Sequence, residues 1–153
     1  MPKTIGLSEL TGNWRGSGTL FTPWTTPAER EYDSTAFISQ VARNILKLEY
    51  TWEADGAQQD GVMLVSESKK DGSFSSVWVD SWHQNETFLL SKGSRAASGD
   101  ITLLASYPAP TGPDWGWKTI IRALGDDNLD IVMYNISPDG KEEIAVHNTY
   151  RRG

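Results

Sequence analysis

The strongest constraint on this chain is its punctuation. Turn signals recur along it: TPWTTP around Trp24, EADGA at Asp55-Gly56, KKDGS at Asp71-Gly72, HQNE near Asn85, ASGD at Gly99, GPDWG after the Pro-rich PAPTGP, GDDN at Gly125 and SPDGK at Asp139-Gly140. Gly and Asn accept positive φ and Pro presets the first turn torsion, so each is a turn with a mechanism. The runs between them are about 8 to 13 residues long, and several alternate. In NILKLEYTWE, Leu46, Leu48, Tyr50 and Trp52 fall on one face, and Lys47, Glu49, Thr51 and Glu53 on the other. That is the period of a strand with one wet face.

Extended along the chain, this reading predicts about ten strands: Asn13 to Thr22, Ala28 to Ser39, Asn44 to Glu53, Gly61 to Lys69, Phe74 to Trp82, Thr87 to Lys92, Ile101 to Tyr107, Trp117 to Leu124, Leu129 to Ile136 and Glu142 to Arg151. The one helical expectation is a short turn over Thr4 to Leu10. Successive strands joined by hairpin-length turns make an antiparallel meander, and about ten of them in one layer must close or expose their edges. The fold class expected is all-β, an up-and-down antiparallel barrel. A β-sandwich is the alternative, but its Greek-key returns need long connections, and only the PAPTGP region supplies one.

Length and charge narrow the function. A chain of 153 residues suits one domain with a proper core. Its formal charge of -6 gives no basic footprint, so nucleic acid is not the expected partner. With no cysteine there is no thiol nucleophile, thiolate metal site or disulfide frame. No apolar leader and no bilayer-length apolar run occur, so no membrane partner is expected and a cytoplasmic location is the default. No GxSxG elbow, phosphate loop, HExxH or EF-hand loop is present, and the two histidines are far apart, so neither metal nor cofactor is called for.

What stands out is aromatic: seven tryptophans, five tyrosines and four phenylalanines. If Trp14 points inward, strand parity puts Arg30, Tyr32, Tyr50, Trp52, Trp78, Asp80, Trp82, Trp115, Trp117, Asn148, Tyr150 and Arg152 on the interior face, provided no bulge flips it. Such a lining suits a cavity with a few polar groups that orient a ligand; a filled barrel whose tryptophans merely pack is the other outcome. The expected ligand-binding set is Arg30, Tyr32, Tyr50, Trp52, Trp78, Asp80, Trp82, Trp117 and Tyr150, facing a small hydrophobic or aromatic molecule. Asp80, between Trp78 and Trp82, is the candidate acid for an isomerase- or cyclase-type reaction, either raised in pKa by desolvation or held ionised by Arg30 or Arg122. His83 reads as a surface turn residue, and His147 shares the polar parity of its strand. The aromatic surplus also leaves room for a homodimer interface.

Two resemblances follow from particular residues. Gly12-Asn13-Trp14 resembles the Gly-x-Trp signature of lipocalins and the wider calycins, in which a helical turn precedes the tryptophan and a last-strand arginine packs over the indole. The TYRRG ending offers Arg151 or Arg152 for that role. The GNWRGSG opening, FSSVWVDSWH, and the C-terminal WGWKT, MYNISPDG and TYRR segments are similar to a bacterial lipocalin-like family of unknown function. The likeness implies one lipocalin-like barrel domain over 1–153 and transfers no activity. The WRGSG strand also resembles the opening of haem-binding barrels of the nitrobindin type, which implies a haem- and gas-binding alternative through His147.

Overall fold

The computed structural model describes residues 6–153. A single 3-10 turn, Leu7–Leu10, is followed by ten strands: β1 (Gly12–Phe21), β2 (Glu29–Ala42), β3 (Ile45–Ala54), β4 (Ala57–Glu67), β5 (Phe74–Asp80), β6 (Gln84–Arg95), β7 (Ile101–Tyr107), β8 (Trp115–Ala123), β9 (Asn128–Ile136) and β10 (Glu142–Arg152). Each strand pairs antiparallel with the next, and β10 returns to β1, from Trp14 opposite Arg152 to Leu20 opposite Val146. The expected up-and-down barrel is therefore closed. Of the expected helical turn, Leu7 to Leu10 is present; Thr4 and Ile5 lie outside the described residues.

Strand ends shift where the turns are tighter than composition suggests. The Asp55-Gly56 hairpin has two residues, at φ 54° and 75°, so Ala54 faces Ala57 and β4 starts four residues earlier than expected. Both torsions are those of a primed hairpin turn, whose twist matches the flanking strands. In contrast, β5 stops at Asp80, and the turn expected near Asn85 lies instead at 81–83. Bulges fall between Gln40 and Ala42, between Trp78 and Asp80, and between Ile144 and Val146.

Trp14 seals one end. It is 1% exposed, its indole N–H donates to the Leu10 carbonyl at 2.9 Å, and Leu7 and Leu10 are buried beside it. The arginine over its ring is Arg152, whose guanidinium carbon lies 4.4 Å from the ring centre. That guanidinium also donates to the carbonyls of Glu9, Thr11 and Asp126, tying the 3-10 turn to the last strand. Arg152 therefore caps this end from outside and is not an interior group.

Among the tryptophans only Trp24, in the β1–β2 loop, is exposed. Most of the aromatic surplus is spent inside, while Phe37 and Phe88 join Trp24 on the surface. No helix of the described residues is long and apolar enough to cross a membrane.

Candidate functional site

The chemistry gathers at the end opposite Trp14, where β5 stops. Asp80 is its last residue, and Oδ1 accepts the backbone N–H groups of Trp82 and His83, each at 2.9 Å. An aspartate that satisfies the amides two and three residues on folds the chain into a tight turn. Here the turn carries Trp82 and His83 back over the barrel end. Oδ2 accepts the Tyr50 hydroxyl at 2.5 Å and the Trp52 indole N–H at 3.1 Å. The Tyr50 hydroxyl in turn accepts the Trp78 indole N–H at 2.8 Å.

Tyr50, Gly61 and Asp80 stand in register on β3, β4 and β5. Tyr50 spans the middle strand to reach Asp80, about 10 Å across two strand spacings, and it does so because Gly61 has no side chain. A β-carbon there would lie 2.1 Å from the Tyr50 Cζ and hydroxyl. The same arrangement recurs across the barrel. Tyr32, Gly18 and Asn148 stand in register on β2, β1 and β10, and the Tyr32 hydroxyl crosses Gly18 to bond the Asn148 side-chain oxygen. Deeper in, the Tyr150 hydroxyl and Ser34 Oγ are 2.7 Å apart, with Ser34 donating to the Thr51 carbonyl.

Asp80 is 3% exposed. Burial pushes its carboxyl up, but the hydrogen bond and charge of His83, the Tyr50 hydroxyl and the His83 amide together outweigh burial and hold it below the usual 3.8. It is thus an ionised acceptor, and a carboxylate only accepts. The His83 Nδ1 lies 3.3 Å from Oδ1, and against a carboxylate that only accepts it is the donor. Burial, followed by the Asp80 charge, drives the Tyr50 hydroxyl well above its ordinary range; burial pushes Tyr150 up to about 12 and raises Tyr32.

Four indoles surround His83. Trp52 stacks on the imidazole at 5.4 Å and 26°, Trp82 meets it edge-on at 4.6 Å, and Trp78 and Trp117 lie at 5.7 and 5.8 Å. Trp78 and Trp117 stack on each other at 5.5 Å, and the Trp117 N–H is buried without a partner among the described residues. At the rim, Asp55 accepts the Trp82 indole N–H at 3.0 Å and the Arg30 guanidinium at 2.8 Å; these two bonds, Trp82's the larger, keep its carboxyl low. The space below, between Tyr32, Tyr50, Trp52, Asp80, His83 and Tyr150, admits the centre of a water-sized sphere over only about 20 Å³, room for about one water. In this conformation the barrel is filled.

Of the residues singled out from sequence, Tyr32, Tyr50, Trp52, Trp78, Asp80 and Tyr150 meet around that small space, and Trp117 stands behind Trp78. Two do not join them. Arg30, its side chain 30% exposed, is turned to Asp55 at the rim, and Trp82 lies in the turn because β5 has already ended. Neither Arg30 nor Arg122 meets Asp80; Arg122 is paired with Asp100 at 3.0 Å. His83, expected on the surface, is only 12% exposed in its side chain, drawn in by the Asp80 turn. His147 points out of the wall toward Asp130 at 3.3 Å, its side chain 41% exposed. It offers the interior no ligand, which removes the haem reading through that residue. Among the described residues no group of three or more His, Asp or Glu is placed to hold a metal ion.

The residues sequence reasoning missed are His83 and Gly61. Both had signals: an aspartate just before a turn, and an isolated glycine inside a strand, which marks close approach.

Comparison with known proteins adds the following. The model of a family described as "Protein of unknown function (DUF1579)" matches residues 4–152. No curated protein matches. The crystal structure of Rv2717c from M. tuberculosis is similar at a TM-score of 0.67 and 18% identity, covering 96% of this chain and 94% of that one. The structure of the S-type phycobiliprotein lyase CPES from Guillardia theta is similar at a TM-score of 0.67 and 13% identity, covering 96% and 90%. At these identities the likeness is one of fold.

Proposed function

Starting from a chain that belongs to the DUF1579 family of unknown function, we propose that it is a calycin-type binding barrel for a small planar aromatic or apolar molecule. The observation that carries this is the convergence of Trp52, Trp78, Trp82 and Trp117 on the His83 ring at the barrel end. Buried aromatic surface walled by a few oriented polar groups is what a small-molecule site needs. Because the interior is filled, the ligand enters by displacing the His83 ring, and its polar end meets Tyr50, Asp80 or Tyr32. The barrel fold is shared with the S-type phycobiliprotein lyase CPES, which is in keeping with a small-molecule barrel.

Tryptophan fluorescence tests this directly. A titration against apolar acids and neutral and cationic planar aromatics yields a saturable change with at least one, weakened in Trp52→Leu. No saturable response from any of them overturns the reading.

A second reading is proton transfer, favoured by the Asp80–His83 pair. Asp80 is ionised and accepts from five donors, so it orients the imidazole, and His83 Nε2 moves the proton. With a substrate in hand, His83→Gln keeps affinity and loses turnover; unchanged turnover removes that role.

A further inference from the structure

We infer that the seat now filled by the His83 ring selects a planar, positively charged nitrogen group, such as an amidinium, guanidinium or imidazolium, over neutral and anionic groups of the same shape. This rests on the binding reading above and names its ligand class.

Three observations converge. The first is charge. Among the described residues, Asp80 is the ionised group at the seat, and no cation accompanies it from the arginines and lysines: Arg30 is on Asp55, Arg122 on Asp100, Lys118 on Glu142, and Arg152 sits beyond Trp14 at the opposite end. A carboxylate or phosphate ligand would meet Asp80 with no arginine or lysine to offset it. The second is the wall. Trp52 presents its π face to the ring, with Trp78 and Trp117 tilted beside it and Trp82 edge-on, and an indole face attracts cations through the ring quadrupole, most strongly when water is excluded. The third is the occupant itself. His83 is a planar ring with an N–H aimed at Asp80 Oδ1 and stacked on Trp52. It stands where a ligand's planar N–H group would stand.

The carboxylate is otherwise served by the protein. Tyr50, Trp52 and the amides of Trp82 and His83 are bonds the barrel and its turn supply. When the imidazole swings out, the acceptor position it leaves is the one facing the cage. An N–H cation refills it and keeps the stacking on Trp52. A neutral amide refills the hydrogen bond but not the charge, and a carboxylate does neither.

Benzamidinium, benzamide and benzoate share one shape and differ in charge, so they separate charge from size. Each is titrated, by tryptophan emission, into the wild type and into His83→Gly and His83→Ala, both checked for the native near-ultraviolet circular dichroism. The expected order is benzamidinium tighter than benzamide by about ten-fold, with benzoate weakest. Asp80→Asn in the His83→Ala background should collapse that difference. Benzamide or benzoate binding as well as benzamidinium overturns the charge selectivity and leaves the binding barrel standing. Cation-selective binding by the opened variants alone supports the seat and overturns the proposal that the wild type admits a ligand there. No binding of any probe to any folded form overturns both.

Discussion

Tyr50 reaches Asp80 by lying across Gly61, the residue between them in the sheet row, and its hydroxyl ends 2.5 Å from the carboxylate. The bond is as much a property of the missing side chain as of the two that make it. Tyr32, crossing Gly18 to Asn148, repeats the device on the other wall. Together they set a ring of phenols around the filled end of the barrel.

Gly61→Ala should therefore break a hydrogen bond it does not make. Overpacking of this kind costs about 1 to 3 kcal/mol, and Tyr50→Phe, which removes a bond to an ionised acceptor, about 1.5 to 3 kcal/mol. In Gly61→Ala, where the ring is already displaced, Tyr50→Phe should cost less than in the wild type. Denaturant unfolding of the four proteins of the cycle checks this; additive losses would separate Gly61 from the Tyr50 bond.

The acid limb of stability should carry the signature of Asp80. Its carboxyl is held below the ordinary 3.8, so its contribution is complete above the unfolded-chain value and lost as pH falls through the lower folded one. Asp80→Asn should be clearly less stable than the wild type at neutral pH, with the gap narrowing below about pH 4. A gap independent of pH from 3 to 7 would mean that the carboxylate's charge is not what the site uses.

The alkaline limb belongs to the tyrosines. Tyr150, pushed up to about 12 by burial, stays protonated in the folded barrel after the unfolded chain has ionised. Its share of stability is whole below pH 10 and falls as pH rises beyond it. Absorbance titration near 295 nm should show fewer than five tyrosines ionised at pH 11 in the folded protein, and all five in denaturant. Five ionising together in the folded protein would contradict the burial of these hydroxyls.

At the sealed end, Trp14→Ala should destabilise by about 3 to 5 kcal/mol, because it removes the plug, its bond to Leu10 and the platform for Arg152. Thermal unfolding measures it. A loss under about 1 kcal/mol would place the seal elsewhere.

How far the sequence reaches can be judged element by element. Alternation and turn residues carry local information, and each strand was legible because its own residues declare a period and an end. The barrel followed, since a meander of that many strands has to close. Facing was legible wherever a strand stays regular: Tyr32, Tyr50, Trp52, Trp78 and Tyr150 are inward as parity requires. It failed at Trp82 and His83, where Asp80 ends the strand by capping its own turn.

The sequence by itself determined the strands, the closed antiparallel barrel, the sealing tryptophan and the aromatic character of the interior. All of these follow from short-range periodicity and from the need to bury one face of every strand. Only the tertiary structure decided that Gly61 and Gly18 are crossings for tyrosines, that Arg152 rather than Arg151 caps Trp14, and that the interior is full. It also decided that His83, read from the sequence as a surface turn residue, sits among four indoles on Asp80. These depend on strand register and on where one turn folds back. Register is set by pairing between residues far apart in the chain, which no local pattern records.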